Sequence, residues 1–171
     1  MTEPRLFYGK YRATVLNNID PLQMGRIQVT VPDVSAVLPT SWAMPCLPVT
    51  GIQTGVFTVP MIGSGVWLEF EQGNPDFPIW VGGFFGSAAE VPVLARQATP
   101  PINGLCYQTP LQNGLIVTDL PGPTGGIMLK SATNATIIVN DTGIYIQNGK
   151  GASIIMTGPT VTINNGAMVI T

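Results

Sequence analysis

The sequence predicts an all-β chain: a small antiparallel barrel, followed by a needle in which three copies intertwine as a β-helix. Three observations carry that expectation. Short period-two apolar stripes recur along the chain with no convincing helical period. The composition changes near residue 90. Apolar pairs at i and i+2 then recur through residues 127–170, forming a stripe that one short chain cannot bury alone.

The 171 residues suit one ordinary domain or two small ones. Only 9% are charged while 45% are hydrophobic, which is too apolar for disorder and leaves few charges to solvate a surface. Without any histidine there is no Ser-His-Asp or Cys-His catalysis and no histidine metal site. A net charge of −2 with seven Lys and Arg argues against a nucleic-acid partner. No apolar run reaches 18 residues, and the start of the chain lacks a signal-peptide core. Cys46 and Cys106 form no CxxC pair and are read as free thiols of a protein made in the bacterial cytoplasm.

Residues 1–90 hold eleven of the sixteen charges, all three Trp and all six Phe, whereas 91–171 are rich in Gly, Thr, Asn, Ile and Val. The expected organisation is an arm over 1–10, a barrel over 11–86, a linker over 87–104 and a needle over 105–171. In the barrel, Tyr11–Leu16 alternates and ends in the turn Asn17–Pro21. Ile27, Val29 and Val31 form a second stripe, and Val66, Leu68 and Phe70 a third, set against Trp67, Glu69 and Glu71. Gln72–Pro78 reads as a turn, Ile79–Val81 as a short strand and Gly82-Gly83 as its end. A helix is possible only in the loop 35–42.

In the needle the pairs are Ile127/Leu129, Ile137/Val139, Ile144/Ile146, Ile154/Met156, Val161/Ile163 and Met168/Ile170, at steps of 10, 7, 10, 7 and 7. Turn formers separate them, from Asn134 to Asn164-Asn165-Gly166. Propeller blades need about 40 residues each, and a single-chain coil roughly 18, which would leave a stub with two open ends. Three chains around one axis suit a unit of this size, with every inward Ile, Val or Met meeting its two symmetry mates. Six rungs at about 4.8 Å make a prism roughly 30 Å long. The axial core is therefore expected to comprise Ile127, Leu129, Ile137, Val139, Ile144, Ile146, Ile154, Met156, Val161 and Ile163.

Three stretches, Tyr11–Pro32, Met44–Val49 and Pro60–Phe85, resemble the OB barrel of the contractile-injection spike family: central spikes of myophage baseplates, tail-like particles and type VI needles. The family pattern is a "DP…GRI-V-VP" strand followed by P-x-G-x-x-V-x-x-x-F-x-x-G-[ND]-P-[DE]-x-P-x-x-x-G. It stands here as Gly25-Arg26, then Pro60, Gly63, Val66, Phe70, Gly73, Asn74-Pro75-Asp76, Pro78 and Gly82. The resemblance implies a homotrimeric structural spike of a phage tail, tailocin or extracellular injection particle, without cofactor or enzymatic activity. It implies that the barrel docks on a separate hub protein at the baseplate centre, because only ten residues precede it. It also implies a PAAR-type tip protein bound at Met168, Val169, Ile170 and Thr171, and a target cell envelope pierced mechanically. The 18 or so residues between barrel and needle leave no room for a lysozyme domain, and without histidine no His-x-His iron site can form at the tip.

Several residues invite sharper readings. Glu69 and Glu71 resemble a carboxylate pair but read better as a solvated strand face. Asn74 and Asp76 read as an Asx turn rather than calcium ligands, and Lys130 and Lys150 as outward solubilising charges. The sequons at Asn134 and Asn140 read as turns between rungs. Met128, Ile138, Tyr145 and Ile155 are expected to face outward, as simple exposed apolar positions or as contacts to lipid. Trp67 and Trp80 read as core or protein interface rather than a base-stacking platform, since Arg26 is the only cation in the second and fourth strands combined. The competing reading is a trimeric OB adaptor that binds glycan or protein at a tail fibre.

Overall fold

A computed structural model describes residues 5–35, 39–98 and 100–170. It divides into two compact units that meet at Glu90 and Val91. In the first unit the strands are β1 (Tyr11–Asn17), β2 (Gln28–Thr30), β3 (Met44–Pro45), β4 (Thr50–Gly51), β5 (Thr54–Gly55), β6 (Gly65–Phe70) and β7 (Pro78–Phe84). Five of them form a sheet in the order β2-β1-β6-β7-β3. The bridge Ile27–Ala43, with hydrogen bonds in both directions at 2.7 and 3.2 Å, joins its two ends and closes the barrel. Period-two alternation decides what lies inside. Ala13 and Val15 of β1, Ile27, Val29 and Val31 around β2, and Val66, Leu68 and Phe70 of β6 make the core.

Three details differ from the sequence expectation. β7 does not stop at Val81 but runs through Gly82 and Gly83 to Phe84. Trp67 pairs with Gly82 and Leu68 with Trp80, so Val81 is an extra residue in a bulge, and Gly82 takes the φ of 151° that this requires. Glu71 is not on the face of β6, because the strand ends at Phe70 and Glu71 opens a 3-10 turn that bends at Gln72 (φ 52°). Glu69 alone stays on the strand, where it pairs with Lys10. Finally, residues 5–10 are anchored. The Phe7 ring enters the core against Tyr11 and Phe70, and its N–H donates to the Gly73 carbonyl at 2.8 Å. Of the loop 35–42, residues 36–38 lie outside the described part.

The second unit begins with a 3-10 turn, Val93–Ala98. Eight strands follow: β8 (Gly104–Gln108), β9 (Gly114–Thr118), β10 (Gly126–Lys130), β11 (Thr136–Asn140), β12 (Gly143–Gln147), β13 (Ser153–Thr157), β14 (Thr160–Ile163) and β15 (Met168–Ile170). They form one antiparallel meander in which each strand pairs with its sequence neighbours. Turns of five residues (131–135, 148–152) alternate with turns of two (141–142, 158–159), which is why the pairs step by 10 and then 7. The sequon asparagines serve these turns. Asn134 adopts φ 63°, and Asn140 Oδ1 accepts from the N–H groups of Thr142 and Gly143.

Candidate assembly face

Register turns the apolar pairs into two continuous columns on one face of the eight-stranded sheet. One column runs Leu105, Val117, Ile127, Val139, Ile144, Met156, Val161, Ile170. The other runs Tyr107, Leu115, Leu129, Ile137, Ile146, Ile154, Ile163, Met168. The structure thus brings together all ten residues expected at an axis. It adds Leu105, Tyr107, Leu115 and Val117, two rungs that the sequence reading passed over. Their signal was present as Leu105-x-Tyr107 and Leu115-x-Val117, but the intervening Cys106 and Ile116 are apolar too and blur the alternation.

In the single chain this face is bare. The seven stripe residues from Ile127 to Ile154 are 36–48% exposed, and Met156, Val161 and Ile163 are half-buried. Water-exposed apolar side chains in two unbroken rows are an interaction surface rather than scattered apolar exposure. Met168 and Ile170 are exposed at 55% and 51% on β15, the edge strand of the described sheet. The Val169 side chain and Thr171 lie outside the described residues.

The opposite face behaves differently. Its central column is Cys106, Ile116, Met128, Ile138, Tyr145, Ile155 and Thr162. At the β8–β9 end the 3-10 turn covers it. Leu94 is buried there, Thr118 Oγ1 donates to the Gln97 carbonyl at 3.1 Å, and the Leu94 N–H donates to Gln108 Oε1 at 2.9 Å. Leu94 packs directly over Gly114, where a Cβ would lie 2.6 Å from Leu94 Cδ1 and would force that side chain to shift. Ile116 and Thr118 are buried as a result, and burial raises the pKa of the half-buried Cys106 thiol. Met128, Ile138, Tyr145 and Ile155, expected as exposed apolar positions, are each half-buried, beside the polar flanks of the same face, Lys130 among them; Lys150 is exposed in a turn. One face therefore carries its own cover at one end, while the two-column face has none along its length.

In the barrel, the motif residues converge on turns. Gly25 (φ 80°) brings its carbonyl to Trp80 Nε1–H at 3.1 Å, so Trp80 is buried and hydrogen-bonded rather than displayed. Gly63 (φ 87°) donates to the Val15 carbonyl, and Gly73 (φ 79°) accepts from Phe7. Asn74 Oδ1 accepts from the Asp76 N–H at 3.0 Å across Pro75, the expected Asx turn, and Pro78 is buried at its exit. Trp67 packs on Phe84 at 5.0 Å with the Arg12 guanidinium over both rings. Both cysteines are free, and no group of three metal-ligating side chains occurs among the described residues.

Sequence reasoning missed the role of Asp20. Its Oδ1 accepts from Arg26 Nη2 at 2.6 Å, Arg26 Nε and the Leu22 N–H, and its Oδ2 accepts from the N–H groups of Met24 and Arg26. The Arg26 hydrogen bond is the main cause that holds the Asp20 carboxyl well below the usual carboxylate range, against the opposing effect of desolvation. The signal was the pair of residues six apart that bracket the β1–β2 connection. A carboxylate with a depressed folded pKa contributes stability above its unfolded value, about 3.9. That contribution fades as pH falls from about 4 toward the folded value. Melting curves of the barrel should therefore be flat in this respect from pH 5 to 8 and fall below pH 4. Asp20→Asn should lower the melting temperature at neutral pH and flatten the acid limb; an unchanged acid limb would remove Asp20 from that role.

Residues 11–85 match the family described as the type VI secretion system/phage-baseplate injector OB domain. Residues 104–169 match the phage baseplate V C-terminal trimerisation domain. A comparison with curated proteins returned no match. The closed five-stranded barrel falls within the first match and the two-column sheet within the second. With most of its length covered by the two matches, the chain belongs to the phage baseplate V family of spike-like baseplate proteins.

Proposed function

We propose that this chain is the central spike of a contractile injection particle, its barrel docked on a hub and its trimeric needle driven mechanically through the target envelope. The chain is a structural, tail-associated baseplate protein with a domain that forms homotrimers. The observation that carries the finer reading is the bare two-column face. A five-residue strand spans about 17 Å, and a triangle with that edge has an inscribed circle about 10 Å across, the usual spacing of packed sheets. Three sheets therefore close on their own side chains, whereas four would leave a gap of about 17 Å between opposed sheets. In this arrangement the ten stripe residues, with the two further rungs, line the axis. Eight strands at about 4.8 Å make a prism on the order of 35 Å long.

Such a prism suits force transmission. Every backbone ladder inside a sheet is hydrogen-bonded, and load along the axis presses rung on rung rather than peeling one strand. The edge strand β15, with Met168 and Ile170 exposed, supports a tip protein of the PAAR type as the cover for the needle's end. No step calls for catalysis.

Native mass spectrometry of the full chain tests the reading. A trimer that persists on dilution is expected, while a chain truncated after Glu90 should be monomeric. A monomeric full-length chain would remove the three-sheet needle.

A further inference from the structure

A cleft of about 550 Å³ opens on the barrel where β6 ends and β7 begins, at the opposite end of that strand pair from Phe84. It is lined by Leu6, Tyr8, Glu71, Gln72, Asn74 and Phe77, and its size falls in the range of small-ligand sites, about 300–1,000 Å³. Hydrogen bonds hold its walls in place. The Glu71 N–H donates to the Phe77 carbonyl at 2.9 Å, the Asn74 N–H to the Glu71 carbonyl at 3.0 Å and the Phe77 N–H to the Asn74 carbonyl at 3.1 Å. The Phe7 N–H ties the other wall to Gly73, and the Tyr11 hydroxyl donates to the Tyr8 carbonyl at 3.1 Å. The Tyr8 ring lies against the Gly73 backbone, where a Cβ would come 3.0 Å from Tyr8 Cε1. On these fixed walls two rings stay in water, Tyr8 at 69% and Phe77 at 58% exposure. Among the described residues, the Tyr8 hydroxyl, the Glu71 carboxylate, the Gln72 amide and Asn74 Nδ2 have no hydrogen-bond partner.

We propose that this cleft is a carbohydrate site, its ligand a neutral oligosaccharide of β-linked hexopyranoses. Such a sugar has two kinds of surface. Its axial C–H groups form apolar faces that suit the electron-rich faces of Tyr8 and Phe77. A β-linked chain stays extended, which lets neighbouring units take the two rings. Its equatorial hydroxyls both donate and accept, which suits a carboxylate that only accepts beside amides that do either. Glu71 is the only charged residue in the lining, so an acidic sugar or a nucleotide phosphate would meet repulsion and no cation. A peptide strand is served poorly, because the N–H groups of Glu71, Asn74 and Phe77 and the carbonyl of Gly73 are already bonded within the barrel. Walls fixed in advance keep the ordering cost of binding low. Gln72 holds a left-handed backbone (φ 52°), the kind of local strain that collects at ligand sites. The site belongs to the barrel alone and does not depend on the trimeric needle.

Saturation-transfer NMR on the full-length chain tests the site, with chitotetraose and cellotetraose as probes and tetragalacturonate as the acidic comparison. The expected signals are strongest on the axial ring protons of the neutral sugars. Glu71→Gln should weaken binding at least about tenfold, the weight of one hydrogen bond to a charged group. Tyr8→Ala and Phe77→Ala, which remove the stacking rings, should weaken it to a similar degree while the barrel keeps its melting transition. Glu71→Gln leaves the shape of the turn alone, so it decides the matter if Tyr8→Ala, which uncovers Gly73, loosens the barrel. Absence of binding by both neutral tetraoses at millimolar concentration would overturn the proposal. Binding that is unchanged in Glu71→Gln and Phe77→Ala would put the sugar elsewhere and overturn it too. So would tetragalacturonate bound as tightly as the neutral sugars, because the Glu71 carboxylate would then not face the ligand.

Discussion

Ile146→Asp is expected to abolish assembly at neutral pH. Ile146 sits mid-sheet in the two-column face, paired to Ile137 on one side and Ile154 on the other, and is 38% exposed in the single chain. In the proposed trimer three carboxylates would meet in a dry axis. Each would cost several kcal/mol if it stayed ionised, with no cation nearby to offset it. The barrel, a separate unit, should keep its fold. The expected observation is a monomer by native mass spectrometry with a barrel melting transition still present, and partial recovery of trimer at low pH as the carboxylates protonate. The like-sized polar variant Ile146→Asn should weaken the trimer less. A fully assembled Ile146→Asp chain of unchanged stability would mean that this column faces solvent.

Leu68→Ala should do the reverse. Leu68 is 0% exposed at the centre of the barrel, on β6 between β1 and β7. Truncating such a side chain removes its transfer energy and leaves a cavity, a loss of about 2–5 kcal/mol. For a unit of this size that corresponds to a fall in melting temperature on the order of 10 °C or more. Because the trimerisation domain is the other unit, the chain should remain trimeric while its barrel melts early. Calorimetry with native mass spectrometry separates the two, and a shared loss of both transitions would show that barrel and needle stability are coupled.

The pair of variants traces a division already present in the residues. Period-two stripes were readable wherever alternation was clean, as at Val66-x-Leu68-x-Phe70 and Ile144-x-Ile146, because successive strand side chains point to opposite faces. They failed where both faces are apolar, as at Leu105–Val117, since pattern alone cannot choose a face there. The strand ends failed as well. Glycine normally ends a strand, but Gly82 continues β7 because a bulge opposite Trp67 needs its positive φ. Glu71 continues the alternation of β6 on paper, yet the backbone turns at Gln72 to let Asn74 close its loop. Phe7 looked like part of an arm because nothing local tells a tethered aromatic from a free one; only a pocket beside Tyr11 and Phe70 does.

By itself, then, the sequence determined the class of structure, the two-part organisation and the family motif. These depend on composition and on periodicity within a few residues, which are local properties. Tertiary structure alone decided which face of the needle sheet stays open and that Asp20 holds Arg26 across the β1–β2 connection. Each of these joins residues through pairing register or closure of the barrel, and register is set by hydrogen bonds between strands, which no single segment encodes.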